Sequence, residues 1–233
     1  MELANYMRRE ARSLPVFLLV DTSGSMRGEK IETVNVALKE MLNSFRKIED
    51  AKGVIELCII TFSGEKAEIV KPLSRLNDAD YYEFTADGAT PMGKAFARVA
   101  ELIEDYNIVS RRAYTPTIVL ISDGNPTDFS GYNSNMTIEE ISKWEELKQL
   151  HQLERCVKAT KLAMGIGSDV DMRILKAFIN NNSIPVIKAQ DNTTISKFFK
   201  WVTMSISVRS VSVNPNIVEL EDTYIFDKGE IEF

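Results

Sequence analysis

The hydrophobic positions of the chain fall into short continuous runs that alternate with helical stripes. The continuous runs are rich in β-branched residues and cover residues 15–20, 54–62, 117–122, 161–166 and 184–188. Runs without strict polar alternation are typical of parallel strands that are covered on both faces. The pattern therefore predicts a largely parallel sheet inside a layered domain.

Residues 66–73 differ from these runs. They follow the second run after only Ser63, Gly64 and Glu65, a link of hairpin length. They also contain Pro72, which cannot donate a ladder hydrogen bond and therefore belongs at an edge. We expect one antiparallel edge strand on an otherwise parallel sheet.

Amphipathic helices are predicted between the strands. Apolar residues recur at steps of three and four at Ile31, Val34, Leu38, Met41, Phe45 and Ile48, and again at Met92, Phe96, Val99, Ile103 and Tyr106. Thr137 and Glu140 form a candidate capping box for a helix containing Ile141 and Trp144. Further helices are expected near residues 172–179 and 195–205. This alternation predicts a Rossmann-like, doubly wound, three-layer α/β domain with helices on both faces.

The chain shows no repeat, low-complexity tract or interdomain linker, so we expect one domain over residues 1–208. Residues 209–233 form a tail with scattered apolar positions, which predicts that it packs back on the domain or against another surface. Residues 128–136 are polar and predict a surface loop.

Charge and composition argue against several classes of function for this chain: nucleic-acid binding, binding to anionic lipid and membrane spanning. Among 233 residues, 44% are hydrophobic and 27% charged, and the net charge is −6. An acidic chain is a poor binder of nucleic acid or anionic lipid. The sequence has no run of the length needed to span a membrane, no secretory cleavage signal, and only two isolated cysteines. We therefore expect a cytoplasmic protein, and we assign no role to its single histidine, His151.

Polar motifs stand where two of the predicted strands end. Residues 21–25 (DTSGS) follow the first run, and residues 122–124 (SDG) complete the third. Because the carboxyl ends of parallel strands meet at one edge of a sheet, both aspartates should arrive at the same crevice. Thr90, in the ATPMG segment, reaches the same region if its helix packs beside them.

The side chains of these motifs are hard oxygen donors. Such donors favour Mg²⁺, with Mn²⁺ or Ca²⁺ as alternatives, over zinc or copper. Two carboxylates balance one divalent ion, and the hydroxyls add no charge. The ion would stay electrophilic enough to accept an anionic oxygen from outside the chain.

Together these motifs resemble the metal-ion-dependent adhesion site of von Willebrand factor A and integrin I domains. The family's Asp-x-Ser-x-Ser triplet falls on Asp21, Ser23 and Ser25. Its threonine falls on Thr90 and its later aspartate on Asp123. The resemblance covers residues 15–205. It implies a protein-interaction module in which a partner protein supplies a Glu or Asp to the metal ion.

The segments PVFLLVDTSGSM, ATPMG and ISDGNPTD are most similar to bacterial TerY-like proteins of tellurium-resistance and stress systems. This resemblance implies a role in such a system. Some relatives carry a cysteine-rich metal ribbon after the domain, and this chain has no cysteine beyond Cys156.

Each motif also has a purely structural explanation. Thr90 could be an N-cap with Pro91 at the first helical position. The DTSG and SDG segments could be strand-ending turns, and Asp87 and Asp128 could be caps or solvated loop residues. Only the combination, in the family's order and at strand ends, favours a metal site.

Two other classes of function are weighed. A magnesium-dependent phosphatase of the haloacid-dehalogenase type also begins with an aspartate after a first strand, but it places a second aspartate where this chain has Ser23. Nucleotide-binding loops and the serine-hydrolase Gly-x-Ser-x-Gly motif are absent from the sequence. The adhesion domain of a secreted protein remains the second alternative. We expect no enzymatic activity.

Overall fold

The computed structural model describes residues 12–48, 53–77, 80–123, 125–216 and 223–233. A seven-stranded sheet has the order β3-β2-β1-β4-β5-β6-β7. Its strands are β1 (Arg12–Asp21), β2 (Gly53–Ser63), β3 (Lys66–Arg75), β4 (Thr117–Ser122), β5 (Thr160–Ile166), β6 (Val186–Ala189) and β7 (Ile231–Glu232). The α-helices are α1 (Glu29–Arg46), α2 (Met92–Glu104), α3 (Ile138–Ile141), α4 (Glu145–Gln152), α5 (Met172–Ile179) and α6 (Asn192–Val211). Gly124 of the SDG motif and residues 217–222 of the tail lie outside the described residues.

The predicted sheet is confirmed. Strands β2, β1, β4, β5 and β6 run parallel, and β3 pairs antiparallel with β2 at one edge. Gly64, in the link between β2 and β3, has a positive φ of 60° that suits a tight turn. The chain winds outward from β1 in both directions, so the strand order reverses between β1 and β4. This reversal opens a crevice at the carboxyl ends of those two strands.

The tail contributes a second antiparallel edge that the sequence pattern did not predict. Its strand β7 pairs with β6, with Val186 opposite Glu232. Phe226, just before it, is buried and meets the Trp201 ring edge-on at 5.9 Å between centroids. A two-residue strand carries no hydrophobic period, so only the tertiary pairing reveals it.

Successive residues of the central strands pack into two separate hydrophobic cores, one on each face of the sheet. Phe17 and Leu19 of β1 face a core with α2 to α5, whereas Val16 and Leu18 face a core with α1 and α6. This alternation follows from the two-residue period of a strand. It explains why the strands are apolar on both sides and confirms helices on both faces of the sheet.

The helices differ from the predicted ones mainly at their ends. The capping box of Thr137 and Glu140 is present, but α3 stops at Ile141 and Trp144 instead precedes α4. Ile48 and Tyr106 lie beyond the ends of α1 and α2. The last long helix, α6, crosses the boundary expected at residue 208 and continues to Val211.

A buried arginine, Arg209, links the start of the tail to the segment that precedes β4. The Arg209 guanidinium donates to the carbonyls of Pro215, at 3.1 and 2.9 Å, and of Thr115, at 2.9 Å. Burial lowers the pKa of Arg209 to about 10. The Asn216 side chain also accepts from the Thr115 N–H at 2.8 Å. Residues 212–216 are therefore tied to the segment that leads into β4.

Both cysteines, Cys58 and Cys156, are buried free thiols. Burial raises the pKa of each to about 12. None of the helices described here has the length and apolar character needed to cross a membrane.

The packing of the tail can be measured with one substitution. We expect Phe226→Ala to lower the free energy of unfolding by about 3 kcal/mol, because it leaves a cavity against Trp201. Phe233→Ala is the matched control, since Phe233 is 66% exposed, and should change it by less than ~0.5 kcal/mol. Urea denaturation compares the two variants, and equal effects would show that the tail does not pack as described.

Candidate metal centre

The carboxyl ends of β1 and β4 carry the two aspartates of the predicted site. Val20 of β1 is paired with Ile121 of β4. Asp21 is the last residue of β1, and Asp123 directly follows β4. The parallel pairing therefore delivers both carboxylates to the crevice where the strand order reverses.

Asp21 is fully buried and accepts two hydrogen bonds from its own neighbourhood. One carboxylate oxygen, Oδ1, accepts from the Ser23 N–H at 2.8 Å, and the other, Oδ2, from the Ser122 hydroxyl at 2.5 Å. Burial raises the pKa of Asp21 to about 6, although the hydrogen bonds from Ser122 and Ser23 oppose the rise; the nearby charge of Asp123 adds to it. A cation in contact with this carboxylate would favour its ionised form.

The two serines connect the aspartates. Ser23 Oγ lies 3.1 Å from Ser25 Oγ, and the Ser25 hydroxyl donates to Asp123 Oδ1 at 2.6 Å. A 3-10 turn at Gly24–Met26 brings the two hydroxyls to the same side of the loop. Four of the five predicted ligands thus form one continuous hydrogen-bonded cluster.

Backbone contacts between loops hold this cluster in place. The Gly24 N–H donates to the Gly88 carbonyl at 2.8 Å, and the Asp87 N–H to the Thr22 carbonyl at 2.8 Å. Gly88 has a φ of +80°, and a Cβ there would come within 2.9 Å of the Gly64 backbone. Glycine is required at this close approach, which brings the segment leading to Thr90 beside the first motif.

Thr90 is buried beside the cluster without being bonded to it. Its N–H donates to the Thr127 hydroxyl at 3.1 Å, and its carbonyl accepts from the Thr127 N–H at 2.9 Å. In the part of the chain that the structure describes, the Thr90 hydroxyl makes no hydrogen bond, to the helix or to the other four residues. Its oxygen is therefore available as a ligand.

The alternative that Thr90 caps α2 is wrong. The helix begins at Met92, with Pro91 in the capping position and no side-chain bond from it. Asp128 provides the cap from the following loop: its carboxylate accepts from the N–H groups of Gly93, at 3.1 Å, and Lys94, at 3.0 Å. A carboxylate there also compensates the positive end of the helix dipole. Of the two structural explanations offered for Asp128, a cap and a solvated loop residue, the structure shows the cap.

The other nearby aspartate has a different partner. Asp87 is largely exposed and forms an ion pair with Arg27 at the surface of the same loops. Two residues that were not among the predicted ligands contact them. One is Ser122, which donates to Asp21, and the other is Lys30, whose ammonium pairs with Asp123. Lys30 stands in the first turn of α1, the helix that starts directly after the first motif. This position is the sequence feature that could have indicated its contact with the predicted ligands.

The donor set fits a hard divalent cation. It consists of two carboxylates and three hydroxyls, all oxygen. Among the described residues there is no group of three or more His, Cys, Asp or Glu side chains that could hold a metal ion. A site at this crevice would therefore depend on the serine and threonine hydroxyls as much as on the aspartates.

This fold and this cluster define an α/β domain with an oxygen-rich crevice at its topological switch point. Residues 16–201 match the von Willebrand factor type A domain family, and the chain belongs to this family. Domains of this family commonly act as protein-interaction modules.

The similar proteins are larger than this chain. The inter-alpha-trypsin inhibitor heavy chain H2 of Sus scrofa is 25% identical over 215 residues, which is 85% of this chain and 21% of that protein. The heavy chain H4 of Sus scrofa is 31% identical over 120 residues, or 48% of this chain and 12% of that protein. The chain thus spans about a fifth or less of the length of these curated relatives.

Solved structures agree on the fold. A von Willebrand factor type A protein from Catenulispora acidiphila has a TM-score of 0.60 at 18% identity, covering 83% of this chain and 42% of that one. The pilus adhesin SpaC of Lactobacillus rhamnosus GG has a TM-score of 0.63 at 14% identity, covering 87% of this chain and 31% of that one. At these identities the similarity concerns the fold alone.

The assignment of the α2 cap yields a prediction on stability. We expect Asp128→Ala to lower the free energy of unfolding by about 1–2 kcal/mol, because two helix N–H groups lose their acceptor. Thr90→Val keeps the shape of the side chain, removes only an unbonded hydroxyl, and should cost less than ~0.5 kcal/mol. Denaturant unfolding of both variants is the measurement. A larger loss for Thr90→Val than for Asp128→Ala would return the capping role to Thr90.

Proposed function

We propose that this chain is a metal-dependent protein-interaction domain. A divalent cation, Mg²⁺ with Mn²⁺ or Ca²⁺ as alternatives, is held by Asp21, Ser23, Ser25, Thr90 and Asp123. A partner protein completes the ion's shell with a Glu or Asp side chain. The observation that carries the proposal is the cluster in which the Ser23 N–H and the Ser23 and Ser25 hydroxyls join two buried aspartates at the switch point of the sheet.

The five proposed ligands make two different contributions to the site, negative charge and neutral oxygen atoms. Asp21 and Asp123 supply the negative charge, and their burial shields that charge from water. Ser23, Ser25 and Thr90 supply neutral oxygens, so they add ligands without cancelling the charge of the cation. When bound, the ion supplies an electrophilic centre for a carboxylate from outside. The partner's acidic residue is thus recognised by charge and by oxygen geometry together.

Specificity is assigned to the rim of the crevice rather than to the ion. The rim consists of the loop after Ser25, the approach to Thr90 and the loop of residues 128–136. That last loop is well supported: the Arg173 guanidinium donates to the carbonyls of Ser134, at 2.6 Å, and Met136, at 2.7 Å. A supported loop presents its exposed side chains to a partner with little ordering cost.

The cellular setting is part of the proposal. The segments PVFLLVDTSGSM, ATPMG and ISDGNPTD support a cytoplasmic module of a bacterial tellurium-resistance or stress system, and we expect it to have no enzymatic activity. The alternatives, a magnesium-dependent phosphatase and an adhesion domain of a secreted protein, predict phosphate release and an extracellular location. Assay of phosphate-ester turnover and fractionation of the source cell distinguish the three.

Metal binding is the first expected property. Mn²⁺ or Mg²⁺ should bind the folded protein, and at a tenfold excess over Kd should stabilise it by about 1.4 kcal/mol. Asp21→Asn should abolish binding because it removes one of two charges. Asp87→Asn removes a nearby exposed aspartate outside the cluster and should leave binding intact. Isothermal calorimetry provides the comparison, and wild-type protein that binds neither ion at millimolar concentration contradicts the proposal.

Partner binding is the second expected property. A protein captured from the source cell by the immobilised chain should be released by chelator, since its carboxylate loses the ion. Thr90→Val should weaken the captured complex at least about tenfold without unfolding the domain. Lys158→Glu reverses an exposed charge before β5, at the opposite end of the sheet, and should have little effect. Binding that survives both chelator and Thr90→Val would place the partner on another face.

A further inference from the structure

Lys30 makes contacts that overlap with the proposed metal site. Its ammonium forms an ion pair with Asp123 Oδ2 and donates to the Ser25 carbonyl at 3.1 Å. The other carboxylate oxygen, Asp123 Oδ1, accepts from the Ser25 hydroxyl. Both oxygens of this proposed ligand are therefore engaged within the chain, one of them by a full positive charge.

We propose that Lys30 is an internal competitor of the divalent cation. Its ammonium neutralises Asp123 when no ion is bound, and it must give up that carboxylate when an ion binds. The inference rests on the proposed function, because it assigns a regulatory residue to the same site. It was not available from the ligand motifs alone, since Lys30 lies outside all of them.

The charges around the cluster explain why a competitor is needed. The Asp123 side chain has no solvent exposure, and Asp21 is buried beside it. Two buried carboxylates in one cluster repel each other, and water is excluded from screening them. The Lys30 side chain is 36% exposed, so its cation can neutralise the pair while its stem stays at the surface. The metal-free fold is stabilised in this way.

The same contact opposes metal binding. A divalent ion and an ammonium that share one carboxylate repel each other at short range. Binding of the ion must therefore overcome the loss of the Lys30–Asp123 pair as well as dehydration. The competition makes the affinity of wild-type protein for the ion weaker than its oxygen ligands alone would give.

A cleft beside the cluster gives the displaced side chain a place to move. Its volume is about 550 Å³, and its lining includes Lys30, Asp123, Ser168, Asp169 and Gln190. The Lys30 stem is a flexible chain of four methylene groups, and Asp169 offers a second carboxylate on the wall of the same cleft. Gly167 also lines this cleft and lies close to the Lys30 side chain, since a Cβ at Gly167 would stand 3.5 Å from Lys30 Nζ.

Displacement changes the charge that a partner meets. Two carboxylates offset the divalent ion, so a nearby Lys30 leaves one positive charge over. An incoming carboxylate is then attracted to the loaded site more strongly than to the metal-free one. Lys30 therefore adds one positive charge to the loaded site that the acidic partner meets.

Titration of the metal alone tests the inference. Mn²⁺ binding is measured by calorimetry for wild type, Lys30→Met and Lys30→Arg, with Lys39→Met as a matched loss of charge farther along α1. We expect Lys30→Met to bind Mn²⁺ at least about tenfold more tightly, because the repulsion between the two cations is removed. Lys30→Arg, which keeps the charge, and Lys39→Met should stay within about threefold of wild type.

A second measurement separates competition from a change of fold. In chelator, Lys30→Met should unfold at a lower temperature than wild type, and saturating Mn²⁺ should raise its melting temperature more. Equal or weaker Mn²⁺ affinity of Lys30→Met overturns the role of Lys30 and leaves the metal site standing, as long as wild type binds. Binding by Lys30→Met alone supports the competition, and binding by neither protein overturns both proposals. If Lys30→Met does not fold, Lys30→Gln replaces it with the same expected gain.

Discussion

The closeness of two buried aspartates, Asp21 and Asp123, at the ends of neighbouring parallel strands constrains the whole carboxyl edge of this domain. The pairing of β1 with β4 fixes where both carboxylates arrive. Once they are there, burial makes their charge costly, and the surrounding loops supply polar partners. Ser23, Ser25 and Ser122 provide hydrogen bonds, and Lys30 provides a positive charge. Metal binding, in the account proposed above, is the further step in which a stronger cation takes over this role.

The loops around the cluster are shaped by the same constraint. Gly24 and Gly88 allow two backbones to meet at hydrogen-bonding distance, and Gly88 in turn lies against Gly64 of the β2–β3 hairpin. Asp128 closes the other side by capping α2, and among the described residues the Thr90 hydroxyl has no hydrogen-bond partner. The position of Asp128 at the start of α2 therefore has two consequences. Asp128 caps the helix, and the Thr90 hydroxyl is not needed as a cap.

The parts of the molecule that the sequence predicted are those encoded by local pattern. The continuous runs predicted parallel strands, Pro72 and the short link predicted the antiparallel edge, and Thr137 with Glu140 predicted a capping box. The order of the motifs, with strand ends meeting at one edge, predicted that Asp21 and Asp123 converge. The binding of a metal ion at these residues, the identity of that ion and the acidic partner remain predictions.

The features that the sequence did not predict depend on contacts between distant segments. Asp128 caps a helix that begins 36 residues earlier, at Met92. The sequence offered Asp128 as a cap or a loop residue but gave no sign of which helix it caps, and local propensity favoured Thr90 for α2. Lys30 reaches Asp123 only because α1 starts at the same edge of the sheet. Strand β7 has two residues and exists through its pairing with β6. In each case the decisive partner is remote in sequence, and no period or motif marks it.

The central claim is that one divalent cation binds among the oxygen atoms of Asp21, Ser23, Ser25, Thr90 and Asp123. Anomalous diffraction from crystals soaked in Mn²⁺ tests it most directly, because the signal locates the ion without reference to any activity. The account predicts a single strong peak between the serine and threonine hydroxyls, with the Lys30 ammonium withdrawn from Asp123. A peak elsewhere, or none at this crevice with Lys30 still on Asp123 at saturating Mn²⁺, would contradict it.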